Sequence, residues 1–426
     1  MKKLFINAQI INADGRVNGG VEVADGLFGK IYTQEELSKV AKTEFDEVFD
    51  CKGWLLTPGL IDLHTHFRDP GLEYKDDIET GSKCAVAGGV TTCACMANTN
   101  PVNDNAEVTR YIVEKARKIG LIDLLPIGAI TKGLEGKGVV EMGDMHEAGC
   151  VAFSDDGRMV ARSDVMRYAL EYSRFHGTFV ISHSQDCSLC AGGHMHEGKE
   201  SMRLGVRGMP REQEEIAVAR DMLLAKLTGG HIHIAHISSA WSLTMVAEAK
   251  KEGVNITCEV TPHHFSFTDK DVGEYDTNFK MSPPLRERSD VEAMKQGLKD
   301  GTIDIIATDH APHHLDEKFR EFDKAPFGIL GLQTLVPLSL NLVRESVLRL
   351  EDFVRLASLN PAKMIGESQK GAVKEGFLAD FTLIDPEEEW VFDETTNLSK
   401  SQNSPCWKKR LTGRVKATFK AGRKVF

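Results

Sequence analysis

Two histidines one residue apart, His64 and His66, close an apolar run and are followed by a guanidinium at Arg68. Alternate side chains of an extended chain point the same way, so this pair can grip one metal ion. Four more apolar, β-branched runs end in metal-type residues: Asp155-Asp156 after 150–154, His183 closing 178–183, His236 within 231–237, and Asp309 after 303–308. Four imidazoles and two carboxylates form a nitrogen/oxygen set suited to zinc or a similar divalent ion. Such an ion acidifies water and polarises carbonyls. A lone strand-end histidine is more often a hydrogen-bonded structural residue, and His176, His194 and His314 are read that way. Five strand ends bearing such residues are not.

The elements that must bring these residues together recur as a cycle of apolar run, polar turn, amphipathic stretch and next run. Eight strand-like runs are present: 56–64, 90–98, 124–131, 150–154, 178–183, 231–237, 255–261 and 303–308. Helical spacing fills the intervals, as in 163–176, stopped by Gly177, and 212–228, stopped by Gly229-Gly230. A closing helix is expected over 350–365, interrupted near Asn360-Pro361. Eight strands in rotation with helices predict an α/β fold, a (β/α)8 TIM barrel, in which all the strand ends meet at one mouth. Residues 1–57 and 371–426 read instead as short alternating strands, with turns at Asp14-Gly15 and Asp25-Gly26. The expected organisation is a barrel over 58–367 and a small β-sandwich domain built from both termini, 1–57 plus 368–426.

Composition narrows the function classes. With 41% hydrophobic and 27% charged residues, the 426-residue chain has ordinary globular make-up. Its net charge of −11 argues against nucleic acid or an anionic membrane as partner, since phosphate recognition needs clustered cations. No signal-like apolar block or long apolar span is seen, and nine scattered cysteines suit reduced thiols, so a cytoplasmic protein is expected. Cys187 and Cys190, followed by His194 and His196, have the look of a small zinc site. A surface loop with two free thiols is the plainer reading.

The pattern of His64-x-His66, histidines ending strands five and six, and Asp309 after strand eight resembles the amidohydrolase superfamily. The match is closer to the dihydroorotases of the bacterial class I type and spans nearly the whole chain. It is carried by Pro58-Gly-Leu-Ile-Asp-Leu-His64 through Gly71, Asn98-Thr-Asn-Pro101, Ala152-Phe-Ser-Asp-Asp-Gly157, Ala307-Thr-Asp-His-Ala-Pro-His313 and Pro326-Phe-Gly328. The resemblance implies that His64, His66 and Asp309 hold one zinc ion and His183 and His236 a second, giving one or two per subunit. Asp156 then stands where many relatives place a bridging carboxylated lysine, with Asp155 as the competing candidate. Arg68, Asn98 and His313 correspond to groups that receive a substrate carboxylate. Two positions depart from the family pattern: Ala97 replaces a proline, and Ser282 stands where an asparagine often contacts substrate.

The implied activity is reversible hydrolysis and cyclisation between dihydroorotate and N-carbamoyl-aspartate in de novo pyrimidine biosynthesis. A metal-activated hydroxide would attack the ring amide, with Asp309 as general acid/base. The charge-rich loop 314–325 is placed to close over the substrate, with backbone at Phe327 and Gly328 touching the ring; its distal half reads equally as a solvated turn. Other cyclic-amide hydrolases, hydantoinases or allantoinases, are the nearest alternative, but generally lack Arg68 and carry lysine in place of Asp156. An inactive structural partner of aspartate transcarbamoylase is the alternative from another class, and the complete ligand set speaks against it. A homodimer and a complex with aspartate transcarbamoylase are the assemblies the resemblance suggests.

Overall fold

Gly59 divides the first apolar run in two. A β-carbon there would lie 2.2 Å from Thr91 Oγ1, so only glycine lets the strands approach this closely. On its N-terminal side Leu55–Pro58 pairs with strands from the chain termini; on its other side Leu60–Thr65 opens a barrel. The run 56–64 is therefore two strands in two sheets, not the single strand its composition predicts. The computed structural model describes residues 1–426.

Eight parallel strands form the barrel: Leu60–Thr65, Val90–Cys95, Asp123–Gly128, Ala152–Ser154, Val180–Ser182, Ile232–Ile234, Ile256–Val260 and Ile305–Ile306. Each pairs with the next in chain order, which is the rotation the sequence predicts. The last meets the first through a parallel bridge of Thr65 with His310. The Asp62 carboxylate reinforces the seam by accepting hydrogen bonds from Thr308 N–H (3.0 Å) and Oγ1 (2.5 Å). Ile61, Ala94, Ile127, Ala152, Ile181 and Ile305 pack together from strands all around the barrel, so they fill its interior. A cluster of 63 buried residues lies between strands and outer helices. That two-layer arrangement holds every strand end rigid at the mouth.

The helices stop where expected. Glu212–Thr228 ends on Gly229 in the left-handed region (φ +67°), and Ser163–Phe175 is followed by Gly177 at +68°. The closing helix differs from its expectation. Leu350–Val354 runs through a π-helical turn, Arg355–Leu359, into Asn360–Met364 without a break. The wide turn places Pro361 at the start of the next segment, where its missing N–H is not needed.

The termini build one mixed eight-stranded sheet. Lys2–Asn12, Gly15–Ala24 and Leu27–Thr33 join through the two expected turns, and Phe381–Val391 pairs with Arg410–Lys420. Its core is aromatic: Phe381 and Phe419 stack at 4.4 Å between centroids, and Phe5 meets them edge-on at 4.8 and 5.1 Å. Between those last two strands the chain leaves the sheet for the barrel mouth. There Ser399 Oγ donates to Asp76 (2.6 Å) and Ser401 Oγ to the Lys75 carbonyl (2.7 Å). No helix is long and apolar enough to cross a membrane.

Candidate metal and substrate site

At the mouth, His66 Nε2 lies 3.0 Å and His64 Nε2 3.4 Å from Asp309 Oδ1. Asp156 stands between two halves of the cluster. Its Oδ2 lies 3.3 Å from His66 Nε2; its Oδ1 lies 3.4 Å from His64 Nε2, 3.2 Å from His183 Nδ1 and 3.5 Å from His236 Nε2. All six side chains are buried. Asp155 points away: its carboxylate accepts from Ile130 N–H (2.8 Å), Thr131 N–H (2.9 Å) and the Thr131 hydroxyl. His236 (φ +34°), Asp309 (+46°) and Arg68 (+62°) hold left-handed backbone, a costly conformation for such residues that turns their side chains out of simple strand alternation.

The donor set fits a divalent ion. A tetrahedral ion with bonds of about 2.0–2.1 Å needs ligand atoms about 3.3 Å apart, close to the separations above. His183 Nδ1 and His236 Nε2 face each other at 2.9 Å, which requires a proton or a cation between them. His64 Nε2 is buried with no hydrogen-bond partner, while its Nδ1 bonds Glu259, so Nε2 is the nitrogen available to ligate a cation in the cluster. His64, His66 and Asp309 form one group able to hold a metal, and His64, Asp156 and His236 another. Charge supports the same reading. Burial opposes ionisation of Asp156 and Asp309, yet the histidines outweigh it, holding Asp156 well below the usual range and Asp309 at about 2. Burial likewise opposes a charged His64, but Glu259, Asp309 and Asp156 raise its pKa well above normal. The carboxylates thus stay ionised at the mouth, and a divalent ion replacing the His64 proton would face the same two charges.

Above it opens a cavity of about 390 Å³ bordered by Arg68, Asn98, Ser282, His313, Phe327 and Gly328. Arg68 is buried, donates from Nε to the Pro312 carbonyl (3.2 Å) and forms no ion pair within 4 Å. Its NH2 faces His313 Nε2 at 3.5 Å. Burial pushes His313 down to about 3, so this ring is neutral. Asn98 has two tasks: its carbonyl receives His66 Nδ1–H at 2.8 Å while the residue borders the cavity. The Ser282 hydroxyl is buried and unpartnered. Gly328 N–H is already committed to the Lys280 carbonyl at 3.0 Å, so the backbone of Phe327 is the freer part of that wall.

Three residues at this site escaped the sequence reading. Gln185 borders the cavity and receives His183 Nε2–H at 2.9 Å; its place two residues after a strand-end histidine was the available signal. Glu259 stood out only as a lone acid in an apolar strand. Asn403, from the C-terminal excursion, carried no signal at all. The Cys187-to-His196 cluster does not converge on a common point. Cys187 and Cys190 sit on one short helical turn, Cys187 exposed. His194 faces Lys280, and His196 is buried against Arg286, held at about 3 by burial and that cation.

Comparison with known proteins agrees with this geometry. Residues 53–242 match the family model described as dihydro-orotase-like. A dihydroorotase of Geotalea daltonii is 52% identical over 392 residues, 92% of each chain. One from Geobacter sp. (strain M21) is 49% identical over 99% of this chain and 95% of its own. Among solved structures, the L-hydantoinase of Arthrobacter aurescens superposes with a TM-score of 0.88 at 25% identity, covering 99% of this chain and 95% of its own. The barrel is thus the one used by cyclic-amide hydrolases, a metal-dependent amidohydrolase fold. Sharing about half its residues with proteins of that name along nearly the whole of both chains, this chain belongs to the dihydroorotase family.

Proposed function

We propose that the chain interconverts dihydroorotate and N-carbamoyl-aspartate, the ring-closing step of de novo pyrimidine biosynthesis and its reverse. The observation that carries this is Arg68: a buried guanidinium without a carboxylate partner, beside a histidine and carboxylate cluster. A neutral ring has no use for it. A ring bearing a carboxylate can accept two charge-assisted hydrogen bonds from it.

In this reading His64, His66 and Asp309 would hold one zinc ion and His183 and His236 a second, with Asp156 within reach of both sets. When bound, a divalent ion supplies acidified water and a polarised amide carbonyl. Asp309, kept ionised by its histidine neighbours, takes the proton of the attacking water and passes it to the ring nitrogen as the C–N bond breaks. Arg68, Asn98 and His313 orient the substrate through its carboxylate. The Ser282 hydroxyl and the backbone around Phe327 and Gly328 address the ring edge. Residues 58–367 act as the catalytic unit, with 1–57 and 368–426 as its accessory β unit. A cytoplasmic enzyme, alone as a homodimer or in complex with aspartate transcarbamoylase, belongs to the same reading.

The test is loss of dihydroorotate ring absorbance with purified protein, with hydantoin and allantoin as controls and metal assayed alongside. Turnover of dihydroorotate alone, abolished by chelation and restored by zinc, supports the proposal. Metal-dependent turnover confined to the neutral rings would reassign the enzyme to the hydantoinases or allantoinases.

A further inference from the structure

The wall of the cavity formed by Pro326–Gly328 is a loop, yet it is pinned from behind by two side chains that never border the cavity. Lys318, on the short helix Leu315–Lys318, is only 3% exposed. Its ammonium donates to the carbonyls of Pro326 (3.0 Å), Gly328 (3.1 Å) and Lys280 (3.4 Å). All three of its N–H donors are therefore spent on backbone, and no carboxylate lies within 4 Å. Asn403, 2% exposed, comes from the distant C-terminal excursion. It donates to the carbonyls of Gly328 (3.0 Å) and Ala311 (2.9 Å) and accepts the His313 N–H (3.0 Å).

Both side chains meet at one atom, the Gly328 carbonyl oxygen. Gly328 in turn lies hard against the His313 ring: with φ at +147°, a β-carbon there would sit 2.7 Å from His313 Cδ2. The residue before Lys318 ties the same helix to the same ring, since Glu317 lies 3.3 Å from His313 Nδ1 and also bonds Lys75 (3.1 Å) and Tyr74 (2.9 Å). Burial pushes the Lys318 ammonium down to about 7, and nearby Lys280 adds to the shift. A buried cation without a counter-ion is a poor choice for packing alone.

We propose that Lys318 and Asn403 are positioning residues: by gripping the Gly328 carbonyl together they hold the Pro326–Gly328 wall against His313 and so set the affinity for substrate. This rests on the reading that His313, Phe327 and Gly328 face the substrate. A wall displaced by an ångström keeps its chemistry and loses its fit.

The experiment uses full-length, zinc-loaded protein with Lys318→Met, Asn403→Leu and the double variant, reading KM and kcat for dihydroorotate, metal content and thermal melting. Each single variant should raise KM about 10-fold, the fold-change for the one buried hydrogen bond each gives to the Gly328 carbonyl, with kcat falling less and metal content unchanged. Because both grip one carbonyl, the double variant should raise KM well short of the about 100-fold expected of independent sites. An unchanged KM in the folded single variants, or a fully multiplicative double variant, overturns the proposal. Should Asn403→Leu not fold, Asn403→Asp keeps the acceptor for His313 and loses both donors; it must raise KM likewise, and an unchanged KM counts against the clamp. If the parent enzyme turns over no dihydroorotate, it is the substrate reading that has failed. The clamp is then judged by hydrogen exchange at Phe327 and Gly328, where faster exchange in Lys318→Met supports it and unchanged exchange refutes it.

Discussion

Glu259 Oε1 lies 2.5 Å from Nδ1 of His64, and its other oxygen accepts from His233 Nε2 at 3.0 Å. The carboxylate is fully buried, and although burial opposes its charge, His64 and His233 hold its pKa below the usual range. It holds the Nδ1 proton of His64, so that Nε2 is the nitrogen left to give up its proton and ligate a cation in the cluster. The variant Glu259→Gln should weaken zinc binding about 10- to 100-fold, measured by competition with a chromophoric chelator. Unaltered affinity in a folded variant would remove Glu259 from this role.

Asp309 is the carboxylate best placed to move a proton, lying 3.0 Å from His66 Nε2 and bordering the cavity. Asp309→Asn should lower kcat about 10²- to 10⁴-fold, the span of general acid/base effects. Metal content is measured on the same sample, so that loss of the ion and loss of the base are told apart. A loss of only a few-fold with metal retained would exclude it as the proton carrier.

Arg68 separates the charged ring from neutral ones. Arg68→Met should cost about 10- to 150-fold in kcat/KM for dihydroorotate, the worth of a lost charged hydrogen bond, while any trace activity on hydantoin stays level. Equal losses on both rings would point to a structural role.

Glu317 gives a pH signature. Its hydrogen bond to His313 lowers its pKa below the ordinary 4.5, and partial burial is outweighed by that bond and by Lys75 and Tyr74. An acid with a depressed folded pKa stabilises the fold above its unfolded pKa and loses that contribution as pH falls through the folded value. The melting temperature of Glu317→Gln should therefore lie below that of the parent at pH 7, and the gap should close as pH falls below 4.5. A gap that is constant with pH would deny the carboxylate its charge-dependent role.

Much of the barrel was legible because burial on both faces leaves a strand as a continuous apolar run, and turns punctuate the runs. The ligand candidates were legible because they interrupt such runs at their ends. Gly59 was not, because its demand for a missing β-carbon comes from Thr91 on a neighbouring strand, a tertiary fact. The resemblance alone favours Asp156, the second residue of the pair, over Asp155; what no sequence could supply is that Asp155 is engaged with Ile130 and Thr131. Asn403 lies 90 positions from the His313 N–H it supports, in a polar stretch with no period to read. Lys318 looked like one charge among many in a solvated loop, and only its 3% exposure separates it from Lys324.

The aromatic core shared by Phe5, Phe381 and Phe419 sets a timetable for synthesis. Asn12 waits for Val373, 361 positions downstream, before their mutual hydrogen bonds can form. At about 5–20 residues per second that is roughly 20–70 s during which the N-terminal hairpins leave the ribosome with one face bare. The barrel, whose strands pair in chain order, can assemble meanwhile. The terminal sheet cannot, and the last 46 residues, from Phe381 to Phe426, seal it. A nascent chain halted before Phe381 carries every proposed metal ligand and still presents an apolar sheet face to the cell's holdase chaperones.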